Sequence, residues 1–75
     1  MSVTVYTKPS CPQCNLTKSI LDKNNIPFTS VDLSQDEEAM NYVVSLGYSA
    51  APVVVVDEEQ HWSGFRPERI ASLKV

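Results

Sequence analysis

The sequence has little of what usually gives a small chain away. It contains only two cysteines, Cys11 and Cys14, too few for the disulfide framework of a small secreted scaffold and too close together to tie distant parts of the chain. No apolar run approaches the roughly 20 residues that span a bilayer, and Met1-Ser2 leads into a strand-like pattern without the charged and apolar regions of a secretory signal. The expected location is the cytoplasm, with no membrane partner. Basic residues are scarce: six Lys and Arg against nine Asp and Glu leave a net charge of -3. No window holds the Lys/Arg cluster that would release counterions from phosphates, so nucleic acid is not an expected partner. Repeats, low-complexity tracts and linkers are missing too, and residues 1–75 read as one domain. A domain of this size buries only about 60% of the surface its unfolded chain exposes, which leaves no room for a separate cofactor domain.

What is present falls into alternating strand and helix patterns. Val3-Thr4-Val5-Tyr6 alternates β-branched and aromatic residues and stops at Lys8-Pro9-Ser10, a strand followed by a loop that delivers the cysteines. Pro12 suits a first helical position, and Leu16, Ile20 and Leu21 give an apolar stripe as far as Asn24-Asn25, which places Cys11 at a helix N-terminus. Phe28 to Leu33 resumes a strand pattern. Ser34 with Glu37 then predicts a capping box opening a second helix, with Met40, Val43 and Val44 as its buried stripe beside Ala39 and Leu46, and Gly47 as its stop. Val53-Val54-Val55-Val56 is the continuous run expected of a strand covered on both faces, ended by the acidic turn Asp57-Glu58-Glu59. His61-Trp62-Ser63 returns as a short antiparallel strand, and Pro67 opens a last helix carrying Ile70, Ala71 and Leu73. The order βαβαββα predicts an α/β chain with a right-handed parallel crossover, a terminal hairpin and a four-stranded mixed sheet flanked by three helices.

Cys11-Pro12-Gln13-Cys14 carries the sharpest chemical signal. Three-residue spacing on the first turn of a helix lets the two sulfurs meet while the first stays at the exposed end, so that one thiol attacks and the other resolves. Free N–H groups and the helix dipole favour a thiolate at Cys11, with Lys8 adding positive potential, and predict a thiol pKa below the free value of about 8.5. Cys14 should be the more shielded. Buried or metal-bound thiols are the rival reading. A closed zinc site needs four ligands, however, and the chain offers only His61 and carboxylates beyond the cysteines, so no metal and no bound cofactor are expected. His61 reads as a solvent-facing strand residue rather than a ligand or proton shuttle.

Three further features stay open on the residues alone. Ala51-Pro52 is either a simple strand start or a cis peptide that turns the neighbouring backbone toward the cysteines and leaves its polar groups free for an extended substrate. Tyr48, Trp62 and Phe65 read as packing residues more than as a recognition surface, with Arg66-Pro67-Glu68 orienting Trp62 or fixing the last helix. Gln13 reads as exposed, either idle or in polar contact with a partner.

Taken together, the chain resembles the thioredoxin superfamily, and within it the NrdH-redoxins, small glutaredoxin-like proteins with thioredoxin-like activity. The residues that carry the resemblance are Val5-Tyr6-Thr7-Lys8-Pro9 before Cys11-Pro12-Gln13-Cys14, then Val31-Asp32-Leu33-Ser34, Leu46-Gly47-Tyr48, Ala51-Pro52-Val53-Val54 and Trp62-Ser63-Gly64-Phe65-Arg66-Pro67-Glu68. The last stretch is similar to the signature that separates NrdH-redoxins from ordinary glutaredoxins. The resemblance implies a thioredoxin fold, a cis Pro52, Cys11 as nucleophile and Cys14 as resolving thiol, with Lys8, Pro12, Gln13, Ala51 and Pro52 meeting the substrate or partner. It also implies a monomer that donates electrons to the large subunit of a class Ib ribonucleotide reductase, for deoxyribonucleotide synthesis, and is recharged by thioredoxin reductase. Pro12 departs from the aliphatic residue common there and is similar to dithiol glutaredoxins, while Ser63-Gly64-Phe65-Arg66 stands where glutaredoxins keep a Gly-Gly pair for glutathione. A glutathione-dependent dithiol glutaredoxin is thus the alternative within redox chemistry, and a metal-binding thiol module the alternative outside it.

Overall fold

Two strands rich in β-branched residues, β1 (Val3–Thr7) and β3 (Val53–Val55), occupy the middle of the sheet. In the computed structural model, which describes residues 3–73, β1 pairs in parallel with β2 (Phe28–Asp32) and antiparallel with β3, while β4 (His61–Ser63) lies antiparallel on the far side of β3. Met1, Ser2, Lys74 and Val75, the ends of the expected domain 1–75, lie outside the described residues. The strand order is β2-β1-β3-β4, with α1 (Pro12–Lys23), α2 (Glu37–Ser45) and α3 (Pro67–Ala71) completing the expected βαβαββα sequence of elements.

The valine run explains how both faces of the sheet are covered. Successive strand residues point to opposite sides, and β3 divides accordingly: Val54, with Val56 just beyond the strand, packs with Val3, Val5, Leu21, Trp62 and Ile70, whereas Val53 and Val55 pack with Leu33, Ala39 and Val43. Helices α1 and α3 therefore cover one face, and α2 the other. Val53 and Val54 are both fully buried.

The helix stripes differ from the sequence expectation in detail. Along α1 the buried residues are Cys14, Thr17 and Leu21, while Leu16 is 49% exposed. Thr17 enters the core without leaving a polar group unsatisfied because its hydroxyl donates to the Gln13 carbonyl at 2.9 Å. Along α2 the stripe is Ala39 and Val43, flanked by the partly buried Met40 and Leu46, and Val44 is 55% exposed. In α3 Ile70 alone is buried and Ala71 faces solvent.

The α2 cap is also corrected. Asp36, not Ser34, is the N-cap, its carboxylate accepting the Ala39 N–H at 3.0 Å. Ser34 instead donates its N–H and hydroxyl to Asp32 at 2.8 and 2.6 Å, so the local side-chain turn has captured the residue the capping box would have used. The stop is as expected. Gly47 adopts φ +95°, its N–H donates to Val44 and the Tyr48 N–H to Val43, the paired bonds of a left-handed helix terminus.

Candidate redox site

After β1 the chain turns through Lys8, Pro9 and Ser10. Ser10 takes φ +57°, a left-handed conformation uncommon outside glycine, in the turn that carries the chain into α1. The sequence places Ser10 in the loop that delivers the cysteines but does not disclose its left-handed conformation. Cys11 follows as the N-cap of α1 with extended backbone, φ -112° and ψ 100°, and its sulfur accepts the Cys14 N–H at 3.2 Å. The cysteine thus stands where Ser, Thr or Asp usually satisfies the first N–H groups of a helix.

Pro12 occupies the first turn and costs it no hydrogen bond, and that turn contains no acidic residue. The N–H groups of the helix end act on the Cys11 sulfur with no carboxylate on their own turn to oppose them, an arrangement that favours thiolate once the disulfide is reduced. In the structure Cys11 and Cys14 are joined as a disulfide, their Cα atoms 5.2 Å apart. The two sulfurs are not equivalent: Cys14 is 1% exposed, whereas Cys11 is half-buried at the rim.

The rim opens onto a groove of about 590 Å³. Lys8, Pro9, Ser10, Cys11, Pro12 and Gln13 line one side of it, and Ser49, Ala50 and Ala51 the other. Among the described residues Lys8 is the one charged residue in its lining, and Gln13 and Pro12 are exposed. The Ala51-Pro52 peptide is cis. Pro52 is buried and its carbonyl already accepts the Gly64 N–H at 2.8 Å, so Ala51, rather than Pro52, presents uncommitted backbone to the groove. Among the described residues, Ser49, Ala50 and Ala51 make no backbone-to-backbone hydrogen bond.

The Trp62 to Glu68 stretch does not line this groove. Trp62 is 5% exposed within the α1/α3 core, and the guanidinium of Arg69, not Arg66, lies 5.0 Å over its ring. Arg66 reaches the Ser63 carbonyl at 3.5 Å and Glu68 at 4.0 Å, both carboxylate and guanidinium being well exposed. Pro67 begins α3, Phe65 is half-buried, and Gly64 donates its N–H to the Pro52 carbonyl beside the groove loop. His61 is not a free solvent-facing residue: its Nδ1 lies 2.7 Å from the Tyr48 hydroxyl, and the rings meet edge to face. Among the described residues no group of three or more His, Cys, Asp or Glu could hold a metal ion, and no helix is long and apolar enough to cross a membrane.

Comparison with known proteins agrees with this geometry. Residues 3–62 match the glutaredoxin family model. The chain is 38% identical over 71 residues to the glutaredoxin-like protein NrdH of Lactococcus lactis subsp. cremoris, covering 95% of this chain and 97% of that one. It is 33% identical over 73 residues to its namesake in Escherichia coli K12, covering 97% and 89%. A solved Escherichia coli NrdH-redoxin, described as glutaredoxin-like with a thioredoxin-like activity profile, superposes with a TM-score of 0.93 at 32% identity, over all of this chain and 97% of the other. The fold is therefore thioredoxin-like.

Proposed function

The chain belongs to the glutaredoxin family, among its NrdH members, and on that premise we propose that it is the cytoplasmic electron donor to a class Ib ribonucleotide reductase, recharged by thioredoxin reductase. That it is a thiol-disulfide oxidoreductase with Cys11 and Cys14 as its redox pair follows from the family; the identity of the two protein partners is the proposal. The observation that carries it is the asymmetric pair at the start of α1, one sulfur at the rim of a groove of about 590 Å³ and the other buried behind it.

In this reading residues 1–75 work as one monomeric domain without a bound cofactor. The Cys11 thiolate attacks one sulfur of the target disulfide on the large subunit, forming a mixed disulfide and releasing the other target sulfur, which takes up a proton. Cys14, deprotonated, then attacks the Cys11 sulfur and expels the second target sulfur as a thiolate. Two electrons have passed to the target and the Cys11–Cys14 disulfide has formed. Lys8 places a positive charge beside the thiolate, Pro12 and Gln13 form the outer lip met by the partner, and the Ala51 backbone pairs with its extended segment while Pro52 holds that wall in place. Trp62 to Glu68 fasten the corner where β4 passes into α3. Phe65 crowds the ground that a second glycine would leave open for a glutathione carboxylate and Pro67 lacks the N–H that would bind an anion there, whereas the Arg66 charge pulls the other way.

The test is NADPH oxidation coupled to disulfide reduction in two parallel assays, one driven by thioredoxin reductase and one by glutathione with glutathione reductase. Turnover at low micromolar protein is expected with the first and little with the second. An equal or faster glutathione route would make the protein a small glutaredoxin instead.

A further inference from the structure

The groove wall facing the cysteines is made of Ser49, Ala50 and Ala51, small residues that make no backbone-to-backbone hydrogen bond among the described residues, with Ala51 packed against the α2 side of the core, so the polar tethers of the wall lie at its ends. At one end the Pro52 carbonyl accepts the Gly64 N–H at 2.8 Å. At the other stands Tyr48, whose N–H closes α2 on Val43 and whose hydroxyl meets His61 Nδ1 at 2.7 Å, with ring centroids 5.5 Å apart. His61 opens β4 opposite Val55, and Gly64 follows the last residue of that strand. Strand β4 lends no residue to the groove, yet it or its continuation supplies both tethers.

We propose that the Tyr48–His61 pair is a positioning device for disulfide exchange, setting the place of the Ser49–Ala51 wall against which the target's peptide lies while Cys11 attacks. The proposal rests on the reading of the groove as the seat of that peptide. Tyr48 and His61 are both half-buried, so their bond is partly shielded from water, and losing one partner leaves the other's polar atom facing a desolvated site. With that tether gone the wall keeps the Gly64 bond at one end, while at the other the Tyr48 N–H to Val43 holds the backbone but the side chain is no longer fixed to β4, and reacting groups held even 1 Å out of place react far more slowly. A disulfide with no peptide around it never rests on the wall and does not sense the loss.

The experiment compares single-turnover reduction of insulin disulfides and of 2-hydroxyethyl disulfide by the pre-reduced protein, in the native chain and in Tyr48→Phe, His61→Leu and His61→Asn. Tyr48→Phe and His61→Leu are expected to slow the insulin reaction by about tenfold, the equivalent of one lost hydrogen bond, and to leave the small disulfide and Cys11 alkylation within about twofold of native. Asn can offer an acceptor near the place of Nδ1, so His61→Asn should recover most of the loss. The double variant Tyr48→Phe/His61→Leu should be no slower than either single one, because both remove the same bond. Unchanged insulin rates, equal losses on both disulfides, or an Asn variant as slow as the Leu variant would each overturn the proposal. A native protein that reduces the small disulfide but not insulin would overturn the groove reading and this inference with it.

Discussion

A difference of one helical turn gives the two cysteines different chemistry. Cys11 stands at the rim as N-cap, where its sulfur receives a backbone N–H, whereas Cys14 is closed off inside the first turn. In the reduced protein near neutral pH, iodoacetamide should therefore modify Cys11 well before Cys14, read by mass spectrometry of the peptides; equal rates would remove the asymmetry on which the mechanism rests. Asp32 offers a separate test of local geometry. Its carboxyl lies below the usual 3.8 chiefly because the Ser34 hydroxyl and then the Ser34 N–H donate to it, with Lys18 assisting and desolvation opposing. A folded value below the unfolded one means that this contribution is present above about pH 3.8 and is lost as pH falls through the folded value. Ser34→Ala should move the Asp32 titration up toward 3.8, followed by carboxyl-carbon NMR. A titration that did not move would assign the depression to another cause.

Among the elements, α2 shows how neighbouring polar residues compete for one role. Ser34, Asp36 and Glu37 all stand near its start, and the capping box read from Ser34 and Glu37 loses to Asp36 because Asp32 has already engaged Ser34 in a turn. Asp36→Ala should consequently cost about 1 kcal/mol in urea denaturation, the usual worth of a side-chain N-cap, and Ser34→Ala distinctly less. The reverse ranking would restore the box. Helix α1 uses the same position differently. It gives its N-cap to a cysteine, spending a stabilising site on a reactive group, and takes part of its burial from Thr17 rather than from Leu16.

Across the whole molecule, a core in two layers depends on few side chains. Trp62 brings together the α1/α3 side of the sheet, joining residues of β1, β3 and both helices, and Arg69 covers its ring. Its indole N–H is buried without a hydrogen-bond partner, so its contribution comes from packing rather than from polar contact. Removal to alanine should cost about 3–5 kcal/mol. For a chain of 75 residues the total stability is on the order of 4–11 kcal/mol, at about 0.05–0.15 kcal/mol per residue. Trp62→Ala should then melt far below the native chain by circular dichroism. A variant still melting cooperatively close to the native temperature would show that the ring is dispensable.

Local chemistry made much of this protein legible in its sequence. Alternating β-branched residues, Pro12 at the head of a helix and Gly47 behind one gave the order of elements, because each acts through backbone sterics and hydrogen bonds within a few residues. The spacing of Cys11 and Cys14 at the start of a helix in a βαβ unit likewise pointed to the redox pair. Tertiary structure decided what depends on residues far apart in the chain. It turned Leu16 and Val44 outward, since which arc of a helix faces the sheet is set by the packing of the whole layer and not by hydrophobicity alone. It placed Ser49 to Ala51 across from Cys11, and it joined Tyr48 to His61, residues that carry no mark of each other until β4 folds back along β3. Short-range sterics specify the elements and the nucleophile; the wall that faces the nucleophile exists only when the sheet has brought its strands together.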